Sequence, residues 1–217
     1  MIVTAVERQR YRKRVGVFVD GELALTLGAE LAAERDVRPG RTITRGEIAA
    51  LADAEAKRGA LESALRLLAY RPRSEKELRE RLARKGFLTK PIDEAIARLR
   101  ELGYLNDAAF ARFWTDTRQT IRPRSRRLLT SELRRRGVDP EMAAEVTSDI
   151  SDDDAAYDAA SRRLGSLRGL EYQRFRERLG GFLTRRGFSY DVARRTIECC
   201  WAELVGEDGQ EDGTHVP

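Results

Sequence analysis

The chain has 217 residues, 41 Lys and Arg against 36 Asp and Glu, a formal net charge of +5 and one histidine. With 41% hydrophobic and 35% charged residues it is too apolar to be wholly disordered and too charged for a membrane protein. His215, near the end, and the adjacent Cys199 and Cys200 fall short of the three or four spaced ligands of a metal site. They also leave no base for Ser-His-Asp or Cys-His catalysis apart from His215.

The first residues, MIVTAVERQRYRKR, have no apolar stretch ahead of their charges, so no secretory signal is expected. No window holds the ~18 consecutive apolar residues of a membrane span. A cytoplasmic location is therefore expected. Cys199 and Cys200 are too close in sequence for an ordinary disulfide framework and are expected to be small, buried helical residues.

In chain order, the first 27 residues read as strands. Val15-Gly-Val-Phe-Val19 is β-prone, Asp20-Gly21 is a hairpin signal, and Glu22–Leu27 alternates. Residues 29–35 read as a short helix ending before Pro39-Gly40. Thr44-Arg-Gly-Glu47 has the form of a capping box and opens a helix running towards Arg58-Gly59, where a boundary is expected. Beyond it the sequence predicts helices at about 61–70, 74–86, 91–102, 106–119, 124–136, 140–149, 152–165, 171–186 and 190–204. Ser74, Asp139, Ser151 and Ser189 supply N-caps, and Gly86, Gly103, Gly137 and Gly187 follow helix ends.

A helix end repeats three times. Leu78-x3-Leu82, Leu129-x3-Leu133 and Leu179-x3-Leu183 each run into a basic residue, a glycine and an apolar residue. The glycines stand at 86, 137 and 187. The leucines lie one turn apart on one face, glycine ends the helix, and the next residue folds back on that face. A helix precedes each copy and another follows it, with Ile92/Ile96, Met142/Val146 and Val192/Ile197 as apolar positions of the latter. The expected fold is mainly α: three tandem three-helix repeats in an elongated, curved array, with a small N-terminal antiparallel β segment. The expected division is 1–59 for the β-hairpin and first helices, 60–105, 106–150 and 151–204 for the repeats, and 205–217 for a disordered acidic tail.

Charge is unevenly spread along this frame. Residues 60–150 carry 20 basic and 14 acidic side chains, whereas residues 205–217 carry four acids and no Lys or Arg. Between Arg118 and Arg136 lie eight arginines and one acid, Glu132. Such a cluster of planar, bidentate donors suits an anionic partner. The contact candidates are Arg71, Arg73, Arg122, Arg124, Arg126, Arg127, Arg134, Arg135 and Arg136, with Arg12, Lys13, Arg14, Lys85 and Arg186 as secondary ones. Arg71 and Arg73 could equally bind helix-end carbonyls, and Lys85, Arg136 and Arg186 could serve their helix dipoles. The Arg122–Arg127 stretch is the first choice, as a basic helix start suited to phosphate. Trp114 and Trp201 lie on apolar faces and read as core. Asp152-Asp153-Asp154 fans around a helix and forms no EF-hand, and no Walker A or dinucleotide motif is present. No metal, cofactor or catalytic residue is expected.

Tyr70-Arg-Pro-Arg-Ser-Glu-Lys-Glu-Leu78, followed by Leu82-Ala-Arg-Lys-Gly-Phe87, resembles the first repeat of the RecX regulatory proteins. So does Ile96-Ala-Arg-Leu-Arg-Glu-Leu-Gly-Tyr-Leu-Asn-Asp107 running into Phe110-Ala-Arg-Phe113. The resemblance covers about residues 1–204 and excludes the tail. It implies a non-enzymatic regulator, expected to be a monomer, that binds RecA recombinase filaments on single-stranded DNA. Such proteins lie in the filament groove and inhibit ATP hydrolysis, strand exchange and coprotease activity, which modulates recombinational repair and the SOS response. The alternative reading is a plain DNA-binding protein acting through an Arg-rich phosphate-binding patch.

Overall fold

The computed structural model describes residues 1–9 and 13–211. Arg10, Arg12, His215 and the end of the acidic tail lie outside the described residues. The chain divides into two compact units, Met1–Leu105 and Asn106–Pro217.

The first unit opens on a three-stranded antiparallel sheet, β1 (Val3–Arg8), β2 (Arg14–Val19) and β3 (Glu22–Gly28), in sequence order. Asp20 and Gly21 both take positive φ, as the two-residue hairpin turn between β2 and β3 requires. The sheet buries Val3, Val15, Val17, Val19 and Leu27. These pack with Leu31 of α1 (Ala29–Glu34), with Val37 and Ile43, and with Leu51 of α2 (Arg45–Tyr70). Thr44 caps α2 with the reciprocal Thr44–Glu47 bonds of a capping box.

The expected break at Gly59 does not occur: α2 runs unbroken for 26 residues. Its first half covers the sheet and its second half is the first helix of repeat 1. Gly59 lies where the ring of Phe87 closes on the helix, and an added Cβ would stand 3.4 Å from Phe87 Cε1. The glycine therefore serves close packing here, not helix termination.

Repeat 1 continues with α3 (Glu75–Arg84) and α4 (Thr89–Glu101). The second unit holds α5 (Asp107–Ile121), α6 (Arg126–Arg135) and α7 (Pro140–Val146), then α8 (Asp152–Leu164), α9 (Tyr172–Arg185) and α10 (Tyr190–Glu211). The molecule is thus three tandem three-helix repeats preceded by a small antiparallel sheet. α10 extends seven residues past its expected end at Leu204, into the segment read as tail.

The repeated helix end has the anticipated form. Gly86, Gly137 and Gly187 all have φ of +88°. Phe87, Val138 and Phe188 donate their backbone N–H back to Leu82, Leu133 and Leu183 at 3.1–3.3 Å, and each glycine N–H bonds three residues back. This is a Schellman closure in all three copies. The repeated leucine pairs, Leu78 and Leu82, Leu129 and Leu133, and Leu179 and Leu183, are fully buried. Opposite them, the first helix of each repeat presents small residues one turn apart: Ala60 and Ala64, Ala111 and Thr115, Ala156 and Ala160. Small side chains let the helices approach, whereas the bulkier Leu65, Phe113 and Tyr157 on the same helices turn outward. Cys200 is buried, but Cys199 is exposed. Neighbouring helical residues point about 100° apart, so only one of the pair can face the core.

Gly187 carries a second constraint. A Cβ there would lie 2.6 Å from Ser125 Oγ and 2.7 Å from Leu128 Cβ, whereas one at Gly86 would meet nothing within 4 Å. Gly86→Ala is expected to cost about 1–2 kcal/mol, the left-handed backbone alone. Gly187→Ala is expected to cost about 1–3 kcal/mol more, through overpacking against repeat 2. Urea denaturation of the two variants measures the difference, and equal losses would contradict this joint.

Candidate functional site

Repeats 1 and 2 enter their second helix through the same tetrapeptide, Arg71-Pro-Arg-Ser74 and Arg122-Pro-Arg-Ser125. Proline sets an extended entry, and the buried serine caps the helix: Ser74 Oγ accepts from Glu77 N and Ser125 Oγ from Leu128 N, each at 3.2 Å. The second arginine of each tetrapeptide points inward. Arg73 is buried, donating to the Leu67 carbonyl at 3.0 Å and to Glu77. Arg71 also pairs with Glu77. Burial pushes the Glu77 carboxyl up, but Arg71 and Arg73 outweigh it and hold it below the usual carboxylate range. Of the two roles open to Arg73, the structure therefore places it on helix-end carbonyl and carboxylate, away from any partner.

In repeat 2 the corresponding carboxylate is Glu132. Arg124 pairs with it, Arg118 lies 3.6 Å away, and Trp114 Nε1 donates to it at 3.1 Å. Trp114 is half-buried against the repeat core, and its ring lies between two guanidiniums, Arg136 at 3.6 Å and Arg118 at 4.2 Å. Burial first, and then neighbouring arginines, push the Arg118 and Arg124 guanidiniums down. Arg124 and Arg136 thus belong to an internal knot and not to an open contact surface.

The remaining arginines face solvent. Arg126, Arg127, Arg134 and Arg135 lie on the outer side of α6 and are exposed. Arg135 donates to Ser131 Oγ at 3.0 Å. Arg126, Arg127 and Arg134, with Thr130 and Ser131, line a hollow of about 480 Å³ that reaches Thr147 and Asp152. Among the described residues, no carboxylate makes an ion pair with the side chains of Arg122, Arg126, Arg127 or Arg134. The helix start itself is taken: Arg126 N donates to Asp152 Oδ1 at 2.7 Å. The expected phosphate cradle at that N-terminus is therefore replaced by a stripe of side chains along α6. Arg127 and Arg134 are two turns apart, or about 10 Å.

The basic residue before each repeated glycine acts as a tether. Lys85 Nζ donates to Ser63 Oγ on α2 at 2.8 Å, Arg136 stacks on Trp114 of α5, and Arg186 donates to the Pro123 carbonyl at 3.1 Å. Arg14 is held by Glu55 at 2.9 Å, and Lys13 is exposed. Trp201 is half-buried, 5.1 Å from Phe175 and 5.2 Å from Tyr172. Cys200 is pushed up to about 12 by burial, which keeps it a thiol. Among the described residues no group of His, Cys, Asp and Glu is placed to hold a metal, and no helix is long and apolar enough to cross a membrane.

The fold is a tandem three-helix array with an outward arginine stripe on α6. Family models described as the first, second and third three-helix domains of RecX match residues 60–99, 106–146 and 151–197. The chain belongs to the RecX family of regulatory proteins. It is 33% identical over 155 residues to Regulatory protein RecX of Streptomyces coelicolor, covering 70% of this chain and 80% of that one. It is 39% identical over 135 residues to that of Amycolatopsis mediterranei, covering 61% and 77%. With the protein of the same name from Bacillus licheniformis it shares 27% over 213 residues, 96% and 80% of the two chains. Two solved structures share the fold. A crystal structure of regulatory protein RecX gives a TM-score of 0.63 at 19% identity, covering 91% of this chain and 98% of that one. RecX from Lactobacillus salivarius gives 0.57 at 21%, covering 68% and 97%.

Two expectations test this division of charge. Glu132→Gln leaves Arg118 and Arg124 half-buried without their carboxylate and is expected to cost about 2–3 kcal/mol. It should also shift tryptophan emission, since the carboxylate charge beside the Trp114 indole is removed. Full retention of urea stability would contradict the knot. Glu77, depressed when folded, contributes stability that is complete above its ordinary value of 4.5 and lost as pH falls through the lower folded value. Glu77→Gln should therefore lose less stability than the parent between about pH 6 and pH 3. Equal acid losses would contradict the pairing.

Proposed function

We propose that this protein binds RecA recombinase filaments on single-stranded DNA and restrains them. It lowers their ATP hydrolysis, strand exchange and coprotease activity, and so modulates recombinational repair and the SOS response. It does this in the cytoplasm, as a monomer, by binding and without catalysis of its own. Membership of the RecX family supports the target. The observation that carries the mode of contact is the unpaired stripe of Arg126, Arg127 and Arg134 on the outer face of α6. Three guanidiniums whose side chains, among the described residues, form no ion pair suit a row of phosphates or carboxylates, with Asp152 bonded to the backbone of Arg126 instead. Arg122 and Arg135 extend the same charge, and Arg71, Lys13 and Lys85 lie outside it on repeat 1 and the sheet.

A second reading, direct DNA binding without a protein target, is favoured by the same unpaired arginines. Phosphate contacts alone predict a steep fall in affinity with salt, with a log–log slope of about −0.7 per contact on single strands. A filament binder retains affinity for RecA at salt concentrations where bare DNA is released.

The test is the triple variant Arg126→Glu, Arg127→Glu, Arg134→Glu. None of the three side chains is tied to the internal knot, so helical circular dichroism is expected to stay unchanged. Inhibition of the RecA ATPase is expected to fall at least about 10-fold in potency, the effect of reversing several close charge contacts. Undiminished inhibition by the folded variant would overturn the contact assignment.

A further inference from the structure

The loop between α5 and α6 is fastened to repeat 3 by arginines. Arg162 of α8 donates to the carbonyls of Thr120 and Ile121, at 2.8 and 3.2 Å. Arg186, just past α9, donates to the Pro123 carbonyl at 3.1 Å, and its own carbonyl accepts from Ser125 N at 3.1 Å. Arg122 belongs to this anchored loop, between the Ile121 and Pro123 carbonyls. Arg163 and Arg186 both lie over the ring of Phe182, at 4.7 and 4.8 Å. Four guanidiniums from the loop, α8 and the end of α9 thus meet at one place.

Their charges are not met from within. Among the described residues no carboxylate makes an ion pair with Arg122, Arg162, Arg163 or Arg186. Glu132 lies on the inner side, where Arg118 and Arg124 take it. Burial first, and then Arg122, Arg163 and Arg162, push the Arg186 guanidinium down. The donors are not used up either. A guanidinium has five N–H groups. Arg162 and Arg186 reach the loop carbonyls through Nη1 alone, and Arg122, Arg162 and Arg163 are exposed.

A ligand for this place has to bring several negative charges to one spot. A carboxylate brings one. A nucleic-acid strand also brings one per phosphate and spaces them along its backbone. A phosphate monoester carries about −1.5 to −2 near neutral pH, and each phosphate added in an anhydride chain sets further charge beside it. The planar fork of arginine grips such oxygens two at a time.

We propose that Arg122, Arg162, Arg163 and Arg186 form a binding site for a free oligophosphate, the pyrophosphate or triphosphate chain of a small anion. Bound there, the chain joins the α5–α6 loop of repeat 2 to α8 and α9 of repeat 3 and fixes the joint between them. The site does not depend on what the α6 stripe meets.

Inorganic tripolyphosphate is titrated into the full-length protein at low salt and followed by calorimetry. A single molecule should bind per chain. Arg122→Gln combined with Arg163→Gln should weaken it about 10-fold or more, the loss of two charge-assisted contacts. Arg162 and Arg186 stay in that variant, so the joint remains tied. Arg127→Gln with Arg134→Gln, on α6, should leave the affinity within about 2-fold. No binding, or an equal loss in both variants, would overturn the site. A short oligothymidylate without terminal phosphates, matched in charge, should bind at least about 10-fold more weakly. Equal affinity that the Arg122→Gln, Arg163→Gln pair abolishes would overturn the choice of oligophosphate over a nucleic-acid backbone. The unaltered protein gives a further reading. Tripolyphosphate should raise its thermal midpoint above that in sodium chloride of the same ionic strength, and an unchanged midpoint would overturn the fixing of the joint.

Discussion

A guanidinium cannot be buried without a counter-charge, and this constraint sorts the arginines of the molecule. Glu132 is the one acid in the most basic stretch of the chain, and it gathers Arg118 and Arg124 with the indole of Trp114. Glu77 does the same for Arg71 and Arg73 in repeat 1. With these carboxylates committed inward, Arg126, Arg127 and Arg134 of α6 face solvent. The outer stripe of α6 is what remains after the fold has met its own electrostatic needs.

The repeat frame gives that remainder a fixed geometry. Two buried leucines, a left-handed glycine and a folded-back apolar residue end the second helix of every repeat in the same way. With Leu129 and Leu133 locked inward, the residues one position beyond Arg126 and those near the helix end must turn outward. Arg127 and Arg134 therefore stand on a helix whose rotation is set by its core face. The helix fixes their backbones in advance, so a partner orders only the side chains, at about 0.5–1.5 kcal/mol each.

Much of this was legible in the sequence, because glycine, leucine spacing and capping residues act locally. Among the described residues, the helices of the repeats, the hairpin and the repeated helix end follow from such signals. The continuity of α2 through Gly59 was not legible, since the deciding contact is Phe87, 28 residues further on. The contact residues were only partly legible. Arg73, Arg124 and Arg136 look like Arg126 and Arg127 in a linear reading, and only tertiary packing assigns them to carboxylates and an indole. The twofold occurrence of Arg-Pro-Arg-Ser was the available clue, since both copies place an inward arginine directly before a buried N-cap serine. Asp152 was likewise hidden: it occupies the start of α6 from 26 residues away.

These strands combine into one picture of a regulator that works by binding. The inner arginines are held by carboxylates and an indole, and the outer ones on α6 are those we propose meet an anionic filament. The most direct measurement is capture in place. A photo-cross-linking amino acid substituted at Ser131, beside Arg134 in the hollow on α6, is carried into assembled RecA filaments on single-stranded DNA. The account predicts an adduct with RecA or with the DNA strand from that position. A protein so labelled that still inhibits the RecA ATPase yet yields no adduct would contradict it.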